Sequence, residues 1–591
     1  MKPPLDRELA DREVAERAAI DGRVIVAGAA ALLAGLLIAL VDRIGAPERL
    51  VAALGVLGAL AGLSVAGLLL RTMRISRFYA AGRATPAPYV ALAAMGLTSA
   101  VALRFLPPSG DPYAVGATFA GLGAGLALAG LVVGPLLRRT GAFSLADLLA
   151  ARFENRALRL ALATATALVG AFVALAALET AVSGLGAITG LGRAGAAFTL
   201  VFPLAMIGAP GGVSGIVWAS AAAGLLALAA HATPLVTFAF QDHPIAAPLI
   251  GDSAAFGGAL DQIGQWQGAA GGGGLWSGLA LALGLATLAP TLAPFVAARD
   301  RGAAARAGLG ALVWSGVFAF LVAATIATST LVLIDSTVGR RPERLPGAIY
   351  AASATRLVGI CGRSVARADE ARAACQARGQ TVMRPQDIEP RGAFLLTALA
   401  PLGGLGAAET GLVWAAHIAL AMALAAAGVL SFASALGHDA FYRLRDSAAL
   451  TSRRLAVTRA IYVAAALAGA AIAGGVEMST HLMLGLALAV STAAVAPLLA
   501  LAFWPRATAH NALAALIAGV ATALALGAEG GATLTNFAPN ALVACAVALA
   551  TGLAASFVAP ARDAGERARA RSFVRELIGG RDEVIVPDKG A

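Results

Sequence analysis

The stretch GLVWAAHIALAMALAAAGVLSFASALGHDAFYRL, residues Gly411 to Leu444, decides the fold. From Gly411 to Leu436 it is apolar apart from His417, Ser431 and Ser434. That exceeds the roughly 20 apolar residues a helix needs to cross a bilayer. The run breaks at Gly437 into His438-Asp439 and a basic segment carrying Arg443, Arg445, Arg453 and Arg454. An apolar helix with a cationic foot is oriented by that foot, which stays cytoplasmic.

The rest of the chain repeats the pattern. Its 591 residues are 59% hydrophobic and 13% charged, with a mean hydropathy of +0.80. Soluble domains carry about 25% charged residues, so this deficit implies an integral membrane protein. A net charge of +11 would suggest a nucleic-acid partner in a soluble chain. Here most arginines sit in short loops beside apolar spans, and no charged groove with interleaved aromatics accompanies them, so nucleic acid is not expected. No HExxH, GxxxxGK or nucleophile elbow is present, and the glycines at Gly271 to Gly274 lack the strand and Lys-Ser/Thr of a phosphate cradle. No enzyme is expected.

Taken in order, the apolar runs are Val24–Val41, Leu50–Leu70, Pro88–Phe105, Tyr113–Leu137, Ala157–Gly190, Ala196–Ile207 and Val213–Ala230. They continue as Leu275–Ala298, Ala307–Ile334, Glu409–Leu436, Leu455–Ala473, His481–Phe503, Ala512–Leu526 and Ala541–Val558. That makes about fourteen transmembrane helices. With both termini cytoplasmic, Arg71, Arg74, Arg77, Arg83, Arg138, Arg139, Arg152, Arg299, Arg301, Arg306, Arg443, Arg506 and Arg562 all fall on the inner side, a consistent set. The leader before the first run is too long and too mixed in charge for a signal n-region, so that run is read as a retained helix. Ser144 and Asp147 suit the start of a short amphipathic helix. The insertion from Asp335 to Arg391 is arginine-rich yet outside, where long loops translocate with less regard to charge. Its Cys361 and Cys375 either pair or remain free thiols, and Cys545 lies in an apolar span.

Five segments resemble the sodium:solute symporter family, in its cation:acetate (monocarboxylate) branch. The ending ALGHDAFYRL is similar to the close of a core helix that reads roughly STADGLLLAISNALSHDLYYRL in that family. RISRFYAAGR and GPLLRRTGAFSLADLLAARFENRALR resemble the segments around its first core helices. GLATLAPTLAPFVAARDRGAAARA and PLLALAFWPRATAHNALAALIAG resemble its glycine-to-proline helix and its Phe-Trp-x-Arg-x-Thr hinge. The resemblance implies an all-α integral membrane protein with a five-plus-five inverted-repeat, amino-acid-transporter-like core and a site near the midplane. The division it implies is a cytoplasmic leader (1–23), two peripheral transmembrane helices (24–70), a first five-helix repeat (88–240), an outer loop (241–274), a second five-helix repeat (275–503) with a periplasmic insertion (335–391), two C-terminal transmembrane helices (512–558) and a cytoplasmic tail (559–591). Pro88–Phe105, with Gly96, Thr98 and Ser99 at its centre, would be the broken core helix.

The resemblance also implies a cation-coupled symporter of a small monocarboxylate such as acetate, in a bacterial inner membrane, with no cofactor and with Na+ or H+ as coupling ion. Its partners are the small solute and the lipid bilayer. Counting back from His438-Asp439, the family's sodium-binding Ser-Thr pair falls on Ala423 and Leu424, and the acid that follows falls on Ala426. Methyl groups offer a hard cation no oxygen, so the sodium site reads as degenerate and no metal ligand is assigned. A degenerate paralogue acting as a sensor or accessory subunit is the alternative; a channel is disfavoured because no ring-forming charged motif repeats.

Several residues remain as substrate or ion candidates, each with a plainer alternative. Glu179, beside Thr180 and well inside an apolar span, is either a proton or cation site or a structural hydrogen-bonding group; it is not a family ligand carried over. Arg104 either meets a substrate carboxylate or snorkels to the outer interface. Thr98 and Ser99 either serve an ion or pack helices. His417 either titrates near neutral pH or is a satisfied packing residue. Ser431 and Ser434 suit helix packing, and His438-Asp439 suits capping or gating.

Overall fold

The computed structural model describes residues 4–105, 112–240, 274–354, 358–390, 406–529, 534–558 and 564–578. The expected outer loop at 241–274 lies almost wholly outside these residues, as do Arg562 and most of the tail. Among the described residues, twelve helices are long and apolar enough to span a membrane, thirteen if one bent pair counts as a span. The fourteenth apolar run forms a 16-residue helix, Arg193–Gly208. The chain is a nearly all-helical, multi-pass membrane protein.

Helices α1 (Pro4–Arg43) and α2 (Glu48–Leu69) precede the core. The leader and the first apolar run form one helix, because α1 runs unbroken for 40 residues. Its Glu, Arg and Ala content favours helix as strongly as the apolar half does. The outward side chains of α1 are exposed, Leu32 at 72% and Leu36 at 68%, as a lipid-facing helix requires.

The first core set is α4 (Ala87–Phe105), α5 and α6 (Pro112–Leu128 and Gly134–Thr140, joined by a π-helical turn), α8 (Arg156–Thr189), α9 (Arg193–Gly208) and α10 (Val213–Phe240). The short helices α3 (Ile75–Ala80) and α7 (Leu145–Phe153) lie in its connections. The second set is α11 with α12 (Gly274–Thr287 and Ala289–Ala297), α13 (Arg301–Thr337), α16 (Ala407–Ser434), α17 (Thr451–Gly475) and α18 (Thr480–Ala502). Loop arginines gather at one end of the bundle: Arg83 donates to the Gly141 carbonyl, Arg138 to that of Arg299, and Arg152 to those of Ala502 and Ala507. Five crossings are an odd number. A first set that begins at the basic end therefore forces the second to begin at the opposite end, and the two sets run inverted. Helices α19 (Ala509–Glu529), α20 (Leu534–Val558) and α21 (Ala564–Ile578) follow.

Close approach of small residues holds the sets together, since lipid supplies no hydrophobic drive between helices. A Cβ on Gly170 of α8 would lie 2.7 Å from the Gly428 carbonyl oxygen of α16, and one on Gly96 of α4 would lie 2.3 Å from that of Ser220 on α10.

The insertion between α13 and α16 carries α14 (Gly347–Ala354), α15 (Ala368–Gln376) and a small antiparallel pair, β1 (Val358–Ile360) with β2 (Ile388–Pro390), in register Gly359↔Glu389. The fold is therefore all-α only within its membrane part. Cys361 and Cys375 are joined as a disulfide that pins α15 to β1, with Met383 and Ile388 packed around it.

Candidate functional site

Four of the residues singled out from the sequence line one small cavity. Arg104 from α4, Thr180 from α8, and His417 and Leu424 from α16 meet there, with Leu484 of α18 closing one side. The remaining wall is apolar, made by Ala100, Leu103, Ala176, Ala177, Leu420 and Ala421. Arg104 Nη1 donates to Thr180 Oγ1 at 3.1 Å, and Thr180 in turn donates to the Ala176 carbonyl at 3.1 Å. Arg104 is thus held within the bundle against a neighbouring helix. A planar guanidinium in an apolar-walled cavity can bind a carboxylate through charge-assisted bonds that water does not weaken.

His417 has a partner that sequence reasoning missed. Its Nε2 lies 3.2 Å from Nε2 of His231 on α10, and His231 Nδ1 lies 3.2 Å from Thr325 Oγ1 on α13. A lone histidine in an apolar run, 186 positions away, carried no local signal that would link the two.

Thr98 and Ser99 do not join this group. Both are buried on α4; Ser99 Oγ contacts the Met95 sulfur at 3.3 Å, and Thr98 Oγ1 has no hydrogen-bond partner among the described residues. Nor is α4 broken, as the sequence suggested: it is one continuous α-helix through Gly96, Thr98 and Ser99. Glycine alone does not interrupt a helix that neighbours pack on both sides. The break falls in the second set, where α11 and α12 bend by 53° about Leu288. Pro290 lacks the N–H that would continue α11. Across the bend the Leu285 carbonyl accepts from the Leu288 amide at 3.3 Å and from the Thr291 hydroxyl at 3.2 Å, while Ser491 of α18 donates to Thr287 Oγ1 at 3.1 Å. The Thr-Leu-Ala-Pro run at 287–290 was the available signal.

Ala423, Leu424 and Ala426 are all buried within α16, at most 2% exposed, so their methyl groups face protein. α4 is continuous, so its carbonyls are committed to its own helix, and the side chains at 423, 424 and 426 offer no oxygen.

Glu179 is held outside the Arg104 cavity. Its carboxylate receives both terminal nitrogens of Arg193, at 2.9 and 2.7 Å, and the Ser183 hydroxyl at 3.2 Å. Arg193 also donates to the carbonyls of Ala473 and Val476 on the α17 side. A carboxylate at that depth is expensive unless paired, and a bidentate arginine is the pairing geometry. The arrangement fits the structural alternative for Glu179.

His438 and Asp439 sit in a second polar cluster at the basic end, on the π-helical continuation of α16 over Ala435–Arg445. Ser144 caps α7 by accepting from the Asp147 amide at 3.1 Å and turns its own proton to Asp439. His438 accepts from Arg454 at Nδ1 (2.6 Å), which makes Nε2 the donor to Asp147 Oδ2 at 2.9 Å. Arg159 donates to the other Asp147 oxygen at 2.9 Å. Burial penalises the Asp147 carboxylate, but His438, Arg443 and Arg159 outweigh it and hold the group well below the usual carboxylate range. Ligand atoms of Asp147, His438 and Asp439 lie within 4.8 Å of one another. They do not fit a metal ion, because both nitrogens of His438 and both oxygens of Asp147 already have partners.

No protein-family model matches the chain. A stretch of 127 residues is 29% identical to an uncharacterized symporter of Cupriavidus necator, covering 21% of this chain. The chain spans only 19% of that relative's length. A solved Na+-coupled sialic acid symporter, in its substrate-bound outward-open state, superposes with a TM-score of 0.65 over 88% of this chain and 99% of that one, at 16% identity. A transporter of the nucleobase-cation-symport-1 family aligns at 0.40 and 13% identity, over 85% of this chain and 100% of that one. These similar proteins are transporters rather than enzymes, and the superposition on the sialic acid symporter shows that the chain has the inverted-repeat transporter fold.

Proposed function

We propose that the chain is a secondary active transporter, a cation-coupled symporter of a small monocarboxylate such as acetate, working by alternating access in a bacterial inner membrane. The basic end of the bundle is then cytoplasmic, with both termini on that side. The observation that carries the reading is Arg104, braced by Thr180 in a small cavity walled by alanine and leucine. The guanidinium offers charge-assisted bonds to one carboxylate, and the apolar wall suits a short acyl chain. The transporter fold and the five family-like segments support the same reading.

Uptake of labelled acetate into proteoliposomes tests it, with inward sodium, inward proton or no gradient imposed and protein-free vesicles subtracted. Accumulation under one gradient is expected. Equal protein-dependent uptake under all three conditions overturns the coupling claim. Ala423, Leu424 and Ala426 favour a second reading, in which the chain binds its solute but has ceased to pump and serves as a sensor or accessory subunit. Saturable binding without accumulation under any gradient selects that reading.

A further inference from the structure

The Arg104 cavity has a neighbour on the same face of α16. His417, Leu420, Ala421 and Leu424 line the first cavity, and a second, inner one begins at Ala427 and continues past Ser431 and Ser434 to Asp439. From His417 to Ser434, steps of three and four place these residues on one stripe of the helix. Helix α8 runs beside both cavities, giving Thr180 to the first and Thr166 to the second. The two spaces are thus stacked along the α8–α16 seam. Leu424, the last residue of α16 in the first, and Ala427, the first in the second, are separated by about 4.5 Å of helix rise.

The free volumes differ. The inner cavity has about 70 Å³ and the Arg104 cavity about 10 Å³, room for about one water molecule. Leucines crowd the smaller space: Leu103 from α4, Leu420 and Leu424 from α16, and Leu484 from α18. Leu424 stands apart from the other three by its position. From Ala423 to Gly428 it is the one residue of α16 larger than alanine, so the helix contributes no other bulk between the two spaces. It is 2% exposed. The backbone beside it cannot draw back to make room, because Gly428 already lies against Gly170 and Ala174 of α8.

We infer that Leu424 sets the acyl-chain length that the solute site accepts, as the partition against which the tail of a carboxylate held at Arg104 ends. This rests on the monocarboxylate reading of that cavity and deepens it. A methylene that meets apolar space gains affinity, whereas one that meets a packed leucine forces strain on its surroundings. Truncating Leu424 to alanine removes the isopropyl group and opens the small cavity toward the larger one. A longer acyl chain then finds room where the wild type presents a wall. The position at which the family resemblance implies a sodium-binding hydroxyl serves the solute instead.

The test is calorimetric titration of the purified full-length protein in detergent with acetate, propionate, butyrate and valerate. Sodium is present and titrations are made at pH 5.5 and pH 7.5, so that either coupling ion is available. The wild-type Kd is expected to rise about tenfold or more from acetate to butyrate. In Leu424→Ala the butyrate Kd should fall about tenfold or more, while the acetate Kd moves by less than about threefold. Leu424→Val should shift the profile in the same direction by less, and suffices if the alanine variant fails to fold. Val429→Ala, buried on α16 but lining neither cavity, is the control and should keep the wild-type profile. Acetate binding with a chain-length profile unchanged in the Leu424 variants, or shifted equally in Val429→Ala, overturns the inference and leaves the monocarboxylate reading standing. Wild-type binding that strengthens steadily from acetate to valerate also overturns it. Failure of the wild type to bind any of the four acids at either pH overturns the reading and the inference together.

Discussion

His438 Nε2 lies 2.9 Å from Asp147 Oδ2, a bond across 291 positions that ties the foot of α16 to α7. Both side chains are nearly inaccessible, at 1% and 7%. Removing Asp147 takes the shared acceptor from the His438 Nε2–H and leaves the Arg159 guanidinium unpaired, a loss that typically costs about 3–5 kcal/mol for a buried charged partner. Asp147→Asn is therefore expected to lower the thermal midpoint of the detergent-solubilised protein at pH 7. The native Asp147 carboxyl is depressed relative to the unfolded chain, so its contribution is fully present above the unfolded value of about 3.9 and fades only in stronger acid. The loss in Asp147→Asn should accordingly be present at pH 5.5 and at pH 8, and an unchanged midpoint in the variant at both would sink the assignment.

Glu179 and Arg193 should behave as one unit. Each single change to alanine is expected to destabilise more than the pair removed together, with a coupling of about 1–3 kcal/mol in a double-mutant cycle by chemical denaturation. The exposure of Arg193, at 33% of its side chain, keeps the value at the lower end. Additive single and double changes would show that the bidentate contact contributes nothing.

Gly428 is, with Gly170, a tight point of the α8–α16 seam, where an added Cβ would lie 2.7 Å from the Ala174 amide nitrogen and 2.8 Å from the Gly170 carbonyl oxygen. Backbone atoms cannot swing aside as a side chain can, so Gly428→Ala should cost about 1–3 kcal/mol and lower the thermal midpoint. Gly316, which meets nothing within 4 Å, is the control and should tolerate alanine without a comparable loss. Equal effects at the two positions would contradict this packing.

Arg104→Ala is expected to abolish saturable acetate uptake in proteoliposomes. Arg104→Lys keeps the charge but loses the planar fork that reaches Thr180, so uptake should fall about tenfold or more with folding intact. Wild-type uptake by Arg104→Ala would remove the carboxylate from this cavity.

Much of the architecture was legible before any coordinates. The cationic foot at Arg443 and the apolar run from Gly411 mark a span unaided, because crossing a bilayer depends on composition over a single segment. Ser144 and Asp147 announced α7 for the same local reason, a cap satisfying an amide three residues on. The break in the core was misplaced because Gly96, Thr98 and Ser99 invite a break that packing suppresses in α4. Pro290, which cannot donate a hydrogen bond, enforces one at Leu288.

By itself, then, the sequence determined that this chain lives in a membrane, roughly where it crosses, and that Ala423 and Leu424 offer no side-chain oxygen to sodium. Only the tertiary structure decided which polar groups share a space: Arg104 with Thr180 and His417, His417 with His231, Glu179 with Arg193 instead of with a solute. Hydropathy is a property of consecutive residues. The partner of a buried polar group is chosen by helices that meet in three dimensions, often hundreds of positions apart, and no local pattern encodes that meeting.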